Sequence, residues 1–600
     1  MAYGYTPAER AELDARARVI LDACPDVGSF IRRSLSPDPG HETLVYLRTA
    51  LDPDPVVTRA GAFLGLVEAA RLWLRRNGVG PQDVVAILAP NVTAVSIAAW
   101  AAMSHAVVQP LNLLFSREAI AAQLAAVDAK VVFVPPPGSP GGLYEKVADL
   151  GALAPSLETI VILPMDGRVA FGDEPLAPAL PPARPETARP DAVAALLPTG
   201  GTTGAPKVVP LTHRNIVASA TASMLALDVR ADDRIVIALP LFHVGGAFCT
   251  SLSALGAGAT MILPTAGGFR NPEVVANYWR ILDRQRATIG GLVPTGLAAA
   301  AEAPAEGCDR SRLRLFATGA SVCPPEIERR FLRVWPGDCV RQIYGMTEFA
   351  GAITQTPSDR AQRPGSVGLP AALVEVAVLA GDTIHRGASP VGEILARGPQ
   401  MFAGYLDPRQ HGASFHDGWL RSGDLGRIGD DGEVYVTGRA KDVIIRGGHN
   451  IDPTAIEDVA MRFPGVGLAA AVGRPDAYAG ETPMLFVTPS PGAAIDPEGL
   501  ARFVAAGVIE GPARPRAIVA IADMPMTPVG KIYKPRLREL AAEAAAGEAL
   551  AAALCGAAFE VSAGHRDGVL VVTARVPAPL VEDARAALGR FPFGFDTLPL

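Results

Sequence analysis

The first half of the chain alternates short aliphatic and β-branched runs with alanine-rich stretches that have helical spacing. A helix is predicted at residues 93–106, and buried strands are predicted at residues 84–89, 130–135, 159–163 and 234–240. Buried strands separated by helices are typical of parallel sheets that are covered on both faces. The pattern therefore predicts an α/β architecture for this half.

The pattern changes near residue 430. Residues 429–439 predict a turn and a strand, residues 442–448 a strand that ends in glycines, and residues 453–462 a helix. Such elements are typical of a compact α+β unit of about 100 residues. We therefore predict a large N-terminal region at residues 1–440 and a smaller domain at residues 441–540.

A C-terminal extension at residues 541–600 has its own pattern. It begins within a helix predicted at residues 535–553, and contains a hairpin predicted at 559–562 and 569–574 and a second helix predicted at 581–588. The extension is either a short ββα-like element or a pair of edge strands added to the preceding domain.

Composition narrows the class of protein. Among 600 residues, 54 Lys and Arg against 61 Asp and Glu give a net charge of −7, which argues against nucleic-acid binding. The apolar stretch at residues 84–115 is interrupted by polar residues and prolines, so we predict no membrane span and leave peripheral contact open. The six cysteines form no C-x-x-C pair and the N-terminus resembles no signal peptide, which favours reduced, buried thiols in a cytoplasmic protein.

The strongest chemical signal is the stretch Pro-Thr-Gly-Gly-Thr-Thr-Gly-Ala-Pro-Lys at residues 198–207. Its glycines allow main-chain N–H groups to converge on an anion, its threonines add hydroxyl donors, and its lysine adds a charge. It lacks the Gly-Lys-Ser/Thr ending of a Walker A loop. On composition alone it is a polyphosphate cradle or an ordinary glycine-rich loop.

Three further stretches carry chemistry. Residues 342–348 (Gln-Ile-Tyr-Gly-Met-Thr-Glu) place an aromatic ring, a hydroxyl and a Mg²⁺-competent carboxylate within five residues. Asp424 in Gly-Trp-Leu-Arg-Ser-Gly-Asp and Arg439 could both meet ribose hydroxyls, and Lys531 follows a glycine in a loop. Taken singly, each stretch also fits a solvated surface turn.

The order and spacing of these stretches resemble the adenylate-forming superfamily, over about residues 30 to 540. The resemblance extends to residues 240–246 (Pro-Leu-Phe-His-Val-Gly-Gly), 319–321 (Gly-Ala-Ser), 363–368 (Arg-Pro-Gly-Ser-Val-Gly) and 438–451. It implies an N-terminal adenylation domain of two α/β subdomains plus a distorted β-barrel, and a small mobile C-terminal domain. Within the superfamily, the chain most resembles a free-standing acyl-CoA synthetase that uses ATP, Mg²⁺ and coenzyme A.

The resemblance also implies a role for individual residues. Lys531 matches the catalytic lysine of adenylation, Thr347 the α-phosphate contact, Glu348 the magnesium ligand, and His243 a residue beside the reacting carboxylate. Lys441 matches the hinge between the domains. The remaining matches are to nucleotide-binding and CoA-channel positions: Thr199, Gly200, Gly201, Thr202, Thr203, Gly204 and Lys207 in the phosphate loop, Gly319, Ala320, Ser321 and Tyr344 around adenine, Asp424 and Arg439 at the ribose, and Gly447, Gly448 and His449 along the thiol channel.

Two departures from the superfamily pattern concern the phosphate loop. Gly200 stands where a serine is usual, and Val208 follows Lys207 where a glycine is usual. The first removes one hydroxyl from the pyrophosphate contacts and leaves the backbone donors.

The implied substrate is a small-molecule carboxylic acid. No Asp or Lys is placed in the expected pocket stretches at 243–250, 293–297 and 344–351 to pair with the charges of an amino acid, which favours a fatty, alicyclic or aromatic acid. An acyl-AMP ligase that loads a separate carrier protein, a non-catalytic acyl- or nucleotide-binding relative and a luciferase-like oxidase stay open as alternatives, as does homo-oligomerisation.

Overall fold

The structure is a computed structural model. It describes residues 4–180, 187–199, 207–237, 239–335, 337–338, 340–360, 363–412, 414–447, 449–566 and 569–600. The α-helices of these ranges are α1 Pro7–Ala23, α2 Val27–Leu35, α3 Ala60–Arg76, α4 Thr93–Met103, α5 Arg117–Ala126, α6 His213–Ala226, α7 Ser253–Ala257, α8 Pro272–Ala276, α9 Tyr278–Arg284, α10 Pro294–Glu302, α11 Pro325–Val334, α12 Pro453–Met461, α13 Pro497–Gly507, α14 Lys534–Ala553 and α15 Val581–Leu588.

The strands are numbered in the same way. Those of the first half are β1 Glu42–Leu47, β2 Val56–Arg59, β3 Val84–Ile87, β4 Val107–Pro110, β5 Ala129–Val134, β6 Thr159–Ile162, β7 Ala170–Phe171, β8 Glu174–Pro175, β9 Val193–Pro198, β10 Val208–Thr212, β11 Arg234–Val236, β12 Thr260–Pro264 and β13 Ile289–Gly291. Those of the second half are β14 Leu315–Gly319, β15 Arg341–Met346, β16 Gly351–Gln355, β17 Leu369–Pro370, β18 Glu375–Ala380, β19 Thr383–His385, β20 Gly392–Arg397, β21 Phe415–His416, β22 Trp419–Ile428, β23 Val434–Arg439, β24 Ile444–Arg446, β25 His449–Ile451, β26 Val466–Asp476, β27 Gly480–Pro489, β28 Ala517–Ala520, β29 Glu560–Arg566, β30 Val569–Val576 and β31 Gly594–Pro599.

Two largely parallel sheets form the centre of the N-terminal region. One has the order β17-β16-β15-β14-β13-β11-β12-β1-β2 and the other β10-β9-β4-β3-β5-β6. All four residues of β3 are buried aliphatics, and β3 pairs in parallel with β4 and β5. A strand that is covered on both faces needs such a continuous apolar run, which is why the sequence pattern predicts it. The carboxyl ends of β14 and β15 lie side by side, where ligands bind in open α/β sheets.

A third, antiparallel sheet follows in the order β19-β18-β20-β22-β21, with β23 paired to β22. The smaller C-terminal domain contains the sheet β25-β24-β27-β26, with β28 parallel to β27, and the helices α12 and α13. The predicted fold class is confirmed: a large α/β N-terminal region precedes a smaller α+β domain.

The extension is built on a helix that it shares with the C-terminal domain. Ala541 of α14 packs in one core with strands β26 and β27, whereas Ala542, Ala546 and Leu550 pack in another core with β30 and α15. The predicted boundary at residue 540 lies inside this helix. The predicted hairpin and second helix are present, but β31 adds a third strand parallel to β30, so the tail is ββαβ and not ββα.

Two further expectations can be compared with the structure. None of the helices in the described ranges has the length and apolar character needed to cross a membrane. Of the five cysteines in the described ranges, Cys24, Cys249 and Cys323 are buried as predicted. Cys308 is half-buried and Cys555, just after α14, is exposed, which corrects the prediction of uniformly buried thiols.

Candidate active site

The predicted ribose pair and the predicted adenine-site tyrosine meet across two sheets. Asp424 and Arg439 are register partners on β22 and β23, with the Arg439 Nε 3.3 Å from the Asp424 Oδ1. The Tyr344 hydroxyl, on β15, donates to the Asp424 Oδ2 at 2.8 Å. Burial raises the pKa of the Asp424 carboxyl and the Arg439 charge opposes that shift. One carboxylate oxygen therefore accepts a hydrogen bond and the other forms an ion pair before any ligand binds.

Beside Tyr344, the main chain at Gly319 lies close to the neighbouring strand. Gly319 ends β14 opposite Ile343, and a Cβ at Gly319 would lie 2.6 Å from the carbonyl oxygen of Ile343. Ala320 has a φ of +72°, and the Ser321 side chain is exposed. The main chain thus turns sharply at the carboxyl end of the strand, where the resemblance predicts that adenine binds.

Thr347 and Glu348 follow β15 in a short 3₁₀ turn. Glu348 accepts a hydrogen bond on Oε1 from the Tyr405 hydroxyl at 2.7 Å. The ammonium of Lys207 lies 4.4 Å from the centroid of the Tyr405 ring. It also donates a hydrogen bond to the Gln410 carbonyl oxygen at 3.3 Å. One aromatic side chain therefore links the predicted magnesium ligand to the predicted phosphate-loop lysine.

Sequence reasoning missed Tyr405. It lies 57 residues after Glu348 and in none of the recognised motifs, so only the folded chain brings the two together. Burial and the Glu348 carboxylate raise the pKa of the Tyr405 hydroxyl, which keeps it protonated and able to donate.

The ends of the predicted phosphate loop are held together by strand pairing. Pro198 of β9 is the register partner of Val208 of β10, and the Thr199 N–H donates to the Lys207 carbonyl oxygen at 2.8 Å. Residues between these ends lie outside the described part of the chain, namely Gly200, Gly201, Thr202, Thr203 and Gly204. Their predicted roles stay predictions.

Lys531 sits at the tip of a tight turn that reaches from the C-terminal domain to the N-terminal region. Gly530, with a φ of +78°, accepts on its carbonyl oxygen from the Thr295 hydroxyl at 2.6 Å, and Arg270 Nε donates to the Pro528 carbonyl oxygen at 3.1 Å. A Cβ at Gly530 would lie 2.9 Å from Val293 Cγ2. Val293 and Thr295, which belong to the stretch predicted to line the acid pocket, therefore contact the lysine turn.

The Lys531 ammonium interacts electrostatically with other predicted site residues. Its pKa is lowered to about 8, first by burial and next by the Arg439 charge, while the carboxylates of Asp424 and Glu348 oppose the shift. Such a depressed lysine pKa is a common property of functional sites. The structure therefore brings Lys531, Asp424, Arg439 and Glu348 together.

His243 lies in the same cluster. Burial, followed by the Lys531 charge, lowers its pKa to about 3, so the ring is neutral at physiological pH. The Gly245 N–H donates to its Nδ1 at 3.1 Å, which assigns the ring proton to Nε2. A neutral His243 can donate a hydrogen bond without adding positive charge beside the lysine.

A π-helix at Gly245–Leu252 follows His243 and forms one wall of an apolar cavity. The hydroxyl of Thr250 donates to the carbonyls of Gly245 and Gly246, and that of Ser253 donates to the carbonyl of Cys249. The two hydroxyls that line the cavity, those of Thr250 and Ser253, therefore already have acceptors. None of the residues lining this cavity in the described part of the chain is charged: Leu227, Val229, Ile235, Val236, Ile237, Leu239, Cys249, Thr250, Ser253, Ile289, Gly290, Gly291 and Ala317.

The predicted hinge is held by the helix that follows the catalytic loop. Lys441 lies in the 3₁₀ turn Ala440–Asp442 between β23 and β24. Arg538 of α14 donates to the Lys441 carbonyl oxygen at 3.1 Å and forms an ion pair with Asp442. Burial, and next the Arg439 charge, lower the pKa of Lys441.

The predicted thiol-channel segment is not brought to the cluster. The Gly447 N–H donates to the Ala479 carbonyl oxygen at 2.8 Å, and His449 Nε2 lies 3.3 Å from Glu510 Oε2 on the surface of the C-terminal domain. Gly448 lies outside the described residues. This arrangement has the lysine at the site and the channel segment away from it, as the resemblance implies for the first half-reaction.

The residues at the site fit a magnesium ion that is held mainly by nucleotide phosphates. No group of three or more His, Cys, Asp or Glu side chains that could hold a metal occurs among the residues that the structure describes. Mg²⁺ needs no such cage, because it commonly takes one or two carboxylates plus phosphate oxygens and water. Glu348, held by Tyr405 through one oxygen, has the other available for this role.

Two family models match the chain. The model described as AMP-binding enzyme matches residues 63–406, and that described as AMP-binding enzyme C-terminal domain matches residues 455–531. Together they include Tyr344, Glu348, Tyr405 and the lysine turn, whereas Asp424 and Arg439 lie between the two matched ranges.

Curated relatives and solved structures agree with these models. Sulfoacetate–CoA ligase of Cupriavidus necator is 33% identical over 512 residues, which cover 84% of this chain and 93% of that protein. Indoleacetate–CoA ligase of Aromatoleum aromaticum is 31% identical, with 80% of this chain and 92% of that protein covered. The crystal structure of ATP-bound MatB from Rhodopseudomonas palustris aligns with a TM-score of 0.73 and 26% identity, over 86% of this chain and 98% of that one.

Proposed function

Because this chain belongs to the family of AMP-binding enzymes, we propose that it activates a hydrophobic carboxylic acid, whether fatty, alicyclic or aromatic, and transfers it to CoA. It is an AMP-forming acid–CoA ligase that uses ATP, Mg²⁺ and CoA. The observation that supports the residue roles most directly is the convergence of Lys531 with Glu348, Asp424 and His243.

The first half-reaction forms an acyl-adenylate. A carboxylate oxygen of the acid attacks the α-phosphorus of ATP, the bond to the bridging oxygen breaks, and pyrophosphate leaves. The Lys531 ammonium bridges the carboxylate and the phosphate oxygens while negative charge accumulates between them, and neutral His243 donates beside the acid. Catalysis at this step is positioning plus charge neutralisation. Mg²⁺, held by Glu348, neutralises phosphate charge when it is bound.

Nucleotide binding is assigned to the residues on both sides of the cluster. Gly319, Ala320, Ser321 and Tyr344 form the adenine side, and Asp424 with Arg439 binds the ribose hydroxyls. Thr347, Lys207 and the loop from Thr199 hold the phosphates.

The second half-reaction is thioester formation. The CoA thiolate attacks the acyl carbonyl carbon, the carbonyl–phosphate bond breaks, and AMP leaves. For this step we propose that the C-terminal domain turns about Lys441, which withdraws Lys531 and brings the segment Gly447–His449 to the site. The contacts of Gly530 with Thr295 and of Pro528 with Arg270 must then break.

The preference for a hydrophobic acid is supported by the apolar cavity beside the π-helix Gly245–Leu252. Its lining consists of aliphatic residues, glycines, Cys249 and two hydroxyl-bearing residues, Thr250 and Ser253, whose hydroxyls already donate to backbone carbonyls. An amino-acid substrate would bury an ammonium group there without a partner, which is costly. The alternative acceptor is a separate carrier protein, and the non-catalytic alternative is disfavoured by the joint presence of Lys531, Glu348 and Lys207.

The test is a panel of acids with ATP and Mg²⁺, assayed for pyrophosphate release and then for thioester formation with CoA or with a carrier protein. We expect release with aliphatic or aromatic acids, no release with amino acids, and a CoA thioester as product. Release with thioester formation only on the carrier would favour the acyl-AMP ligase. No release with any acid would contradict the proposed function.

A further inference from the structure

The C-terminal domain contacts the N-terminal region at a second place besides the lysine turn. Helix α11 of the N-terminal region packs against helix α12 of the C-terminal domain. Ile327 of α11 lies in one hydrophobic core with Ile456 and Val459 of α12. Apolar packing of this kind is not directional, so it does not by itself specify one arrangement of two domains.

Arg330 of α11 adds a directional contact at this interface. Its Nη2 donates to the Met461 carbonyl oxygen at 2.6 Å, and its Nη1 donates to the Val466 carbonyl oxygen at 2.9 Å. Its Nε donates to Glu326 Oε1 at 2.9 Å, so all three guanidinium nitrogens have an acceptor. The side chains of Arg330 and Glu326 are largely buried, so salt screens these contacts little. The planar fork of the guanidinium thus fits one position of the C-terminal domain.

The end of α12 is a favourable place for a cation. Met461 is the last residue of this helix, and the carbonyls of a last helical turn have no partner within the helix. They also lie at the negative end of the helix dipole, which stabilises a guanidinium. Arg330 therefore supplies, from one domain, the donors that a helix end of the other domain needs. A rotation about Lys441 moves α12 relative to α11, so these hydrogen bonds must then break.

The position of α12 is connected to that of the lysine turn. Glu457 of α12 forms an ion pair at 2.7 Å with Lys534, which lies three residues after Lys531. Glu457 also accepts a hydrogen bond from the Ala471 N–H of β26 at 2.8 Å. Helix α12, strand β26 and the start of α14 are therefore joined through one carboxylate. Because Arg330 holds the end of α12 and the first residue of β26, it constrains the body that presents the lysine.

We propose that Arg330 is a positioning residue for adenylation, which holds the C-terminal domain in the arrangement that places Lys531 at the site and releases it for thioester formation. The inference rests on the proposed function, and it deepens it by naming a residue that sets the balance between the two arrangements. The described partners of Arg330 are Glu326, Met461 and Val466, which lie outside the predicted site. Arg330 therefore acts through Lys531 and not on the substrates.

Arg330→Met tests this role, because it keeps an unbranched side chain and removes the guanidinium donors. In single-turnover experiments with a substrate acid from the panel, we expect pyrophosphate release to fall about tenfold, the scale for loss of a hydrogen bond to a charged group. Thioester formation from supplied acyl-adenylate and CoA should stay at the normal rate or rise. In pyrophosphate exchange, kcat should fall while KM for ATP stays nearly unchanged.

Arg329→Met is the matched control. Arg329 precedes Arg330 on the same helix and forms an ion pair with the same Glu326. Its side chain is 53% exposed, against 17% for Arg330, and Glu326 is its described partner. We expect both half-reactions of the control variant to run at normal rates.

Three results would overturn the role of Arg330: equal loss in both half-reactions of Arg330→Met, no loss of pyrophosphate release in that variant, or an equal loss of release in Arg329→Met. Arg330→Gln gives the same comparison, with the same outcomes, if the methionine variant does not fold. Each of these results leaves the ligase activity of the unaltered chain standing. Absence of pyrophosphate release from the unaltered chain with every acid would contradict the ligase proposal itself, and this inference with it.

Discussion

The site lowers the pKa of Lys531, the residue proposed to catalyse adenylation. Its pKa of about 8, against an ordinary value of 10.5, means that the free enzyme loses the ammonium at a moderately alkaline pH. The cause is burial together with Arg439, and Asp424 and Glu348 compensate only in part. A lysine that bridges carboxylate and phosphate acts in its protonated form.

The pH dependence of adenylation follows from this shift. Because the folded pKa is lowered, protonated Lys531 predominates below about pH 8 and is depleted as the pH rises above it. We expect kcat/KM for ATP in acid-dependent pyrophosphate exchange, measured without CoA, to fall about tenfold per pH unit above that value. A profile that stays flat to pH 10 would contradict the role of the ammonium.

Tyr405 gives a second test at the scale of the residue. Tyr405→Phe removes the hydrogen bond to Glu348 but keeps the ring below Lys207. Hydrogen bonds to charged groups contribute about 1.5–3 kcal/mol, so we expect kcat/KM for Mg·ATP to fall by about tenfold or more. The apparent affinity for Mg²⁺ should fall too. If the melting temperature of the variant is unchanged, this fall cannot come from a general loss of structure. Unchanged magnesium dependence would refute the positioning role.

At the scale of the element, α14 connects the catalytic turn, the hinge and the extension. It begins three residues after Lys531, its Arg538 holds the Lys441 carbonyl oxygen and Asp442, and its Lys534 forms an ion pair with Glu457 at 2.7 Å. The extension is joined to the same helix by His565, whose Nδ1 lies 3.0 Å from Glu539 Oε1. These contacts join the C-terminal domain and the extension, so the rotation proposed about Lys441 would carry both together.

A proline at the hinge tests whether that body must turn. Lys441→Pro fixes φ at that residue and removes its N–H, which restricts rotation. We expect pyrophosphate release to persist and CoA thioester formation to fall, with Lys441→Ala as the control that leaves φ free. A proline variant that makes thioester from supplied acyl-adenylate at the rate of the alanine variant would exclude the hinge role.

The elements also show what the sequence could and could not predict. Helix α15 at Val581–Leu588 and strand β3 follow directly from local patterns, because one has an amphipathic period and the other a continuous apolar run. The sequence does not predict strand β31, because Gly594 and Pro599 bound a short, half-buried segment that becomes a strand through its parallel pairing with β30. Local periodicity contains no information about such a pairing.

The same division holds for the candidate site. Asp424, Arg439, Tyr344 and Lys531 lie in short motifs and could be named from the chain alone. Thr295 and Arg270, which hold the lysine turn, are separated from it by more than 200 residues and have no motif of their own. Their role depends on how two domains dock, which no local pattern encodes.

At the scale of the whole molecule, the extension is part of the packed structure. Ala542, Ala546, Leu550 and Leu554 of the α14 segment are buried against β30 and α15, and Arg474 of the C-terminal domain pairs with Glu548. Removal of residues 556–600 would expose this apolar helix face to water.

Truncation after residue 555 should therefore lower the melting temperature by several degrees. It should also promote self-association of the shortened chain, because burial of the exposed apolar face between two copies removes it from water. Thermal melting and sizing of the truncated and full chains check this outcome. The catalytic cluster should keep its activity at a temperature where the shorter chain is folded. An unchanged melting temperature and an unchanged size would show that the extension does not stabilise the molecule.

The central claim is that one lysine, delivered from the C-terminal domain, serves adenylation and not thioester formation. The two half-reactions of Lys531→Ala measure this most directly, in single-turnover experiments with a substrate acid taken from the panel. We predict that pyrophosphate release falls by about 10²-fold or more, the scale for loss of a preorganised charge, while supplied acyl-adenylate and CoA still give thioester at close to the normal rate. Equal loss in both half-reactions, or normal pyrophosphate release, would contradict the account.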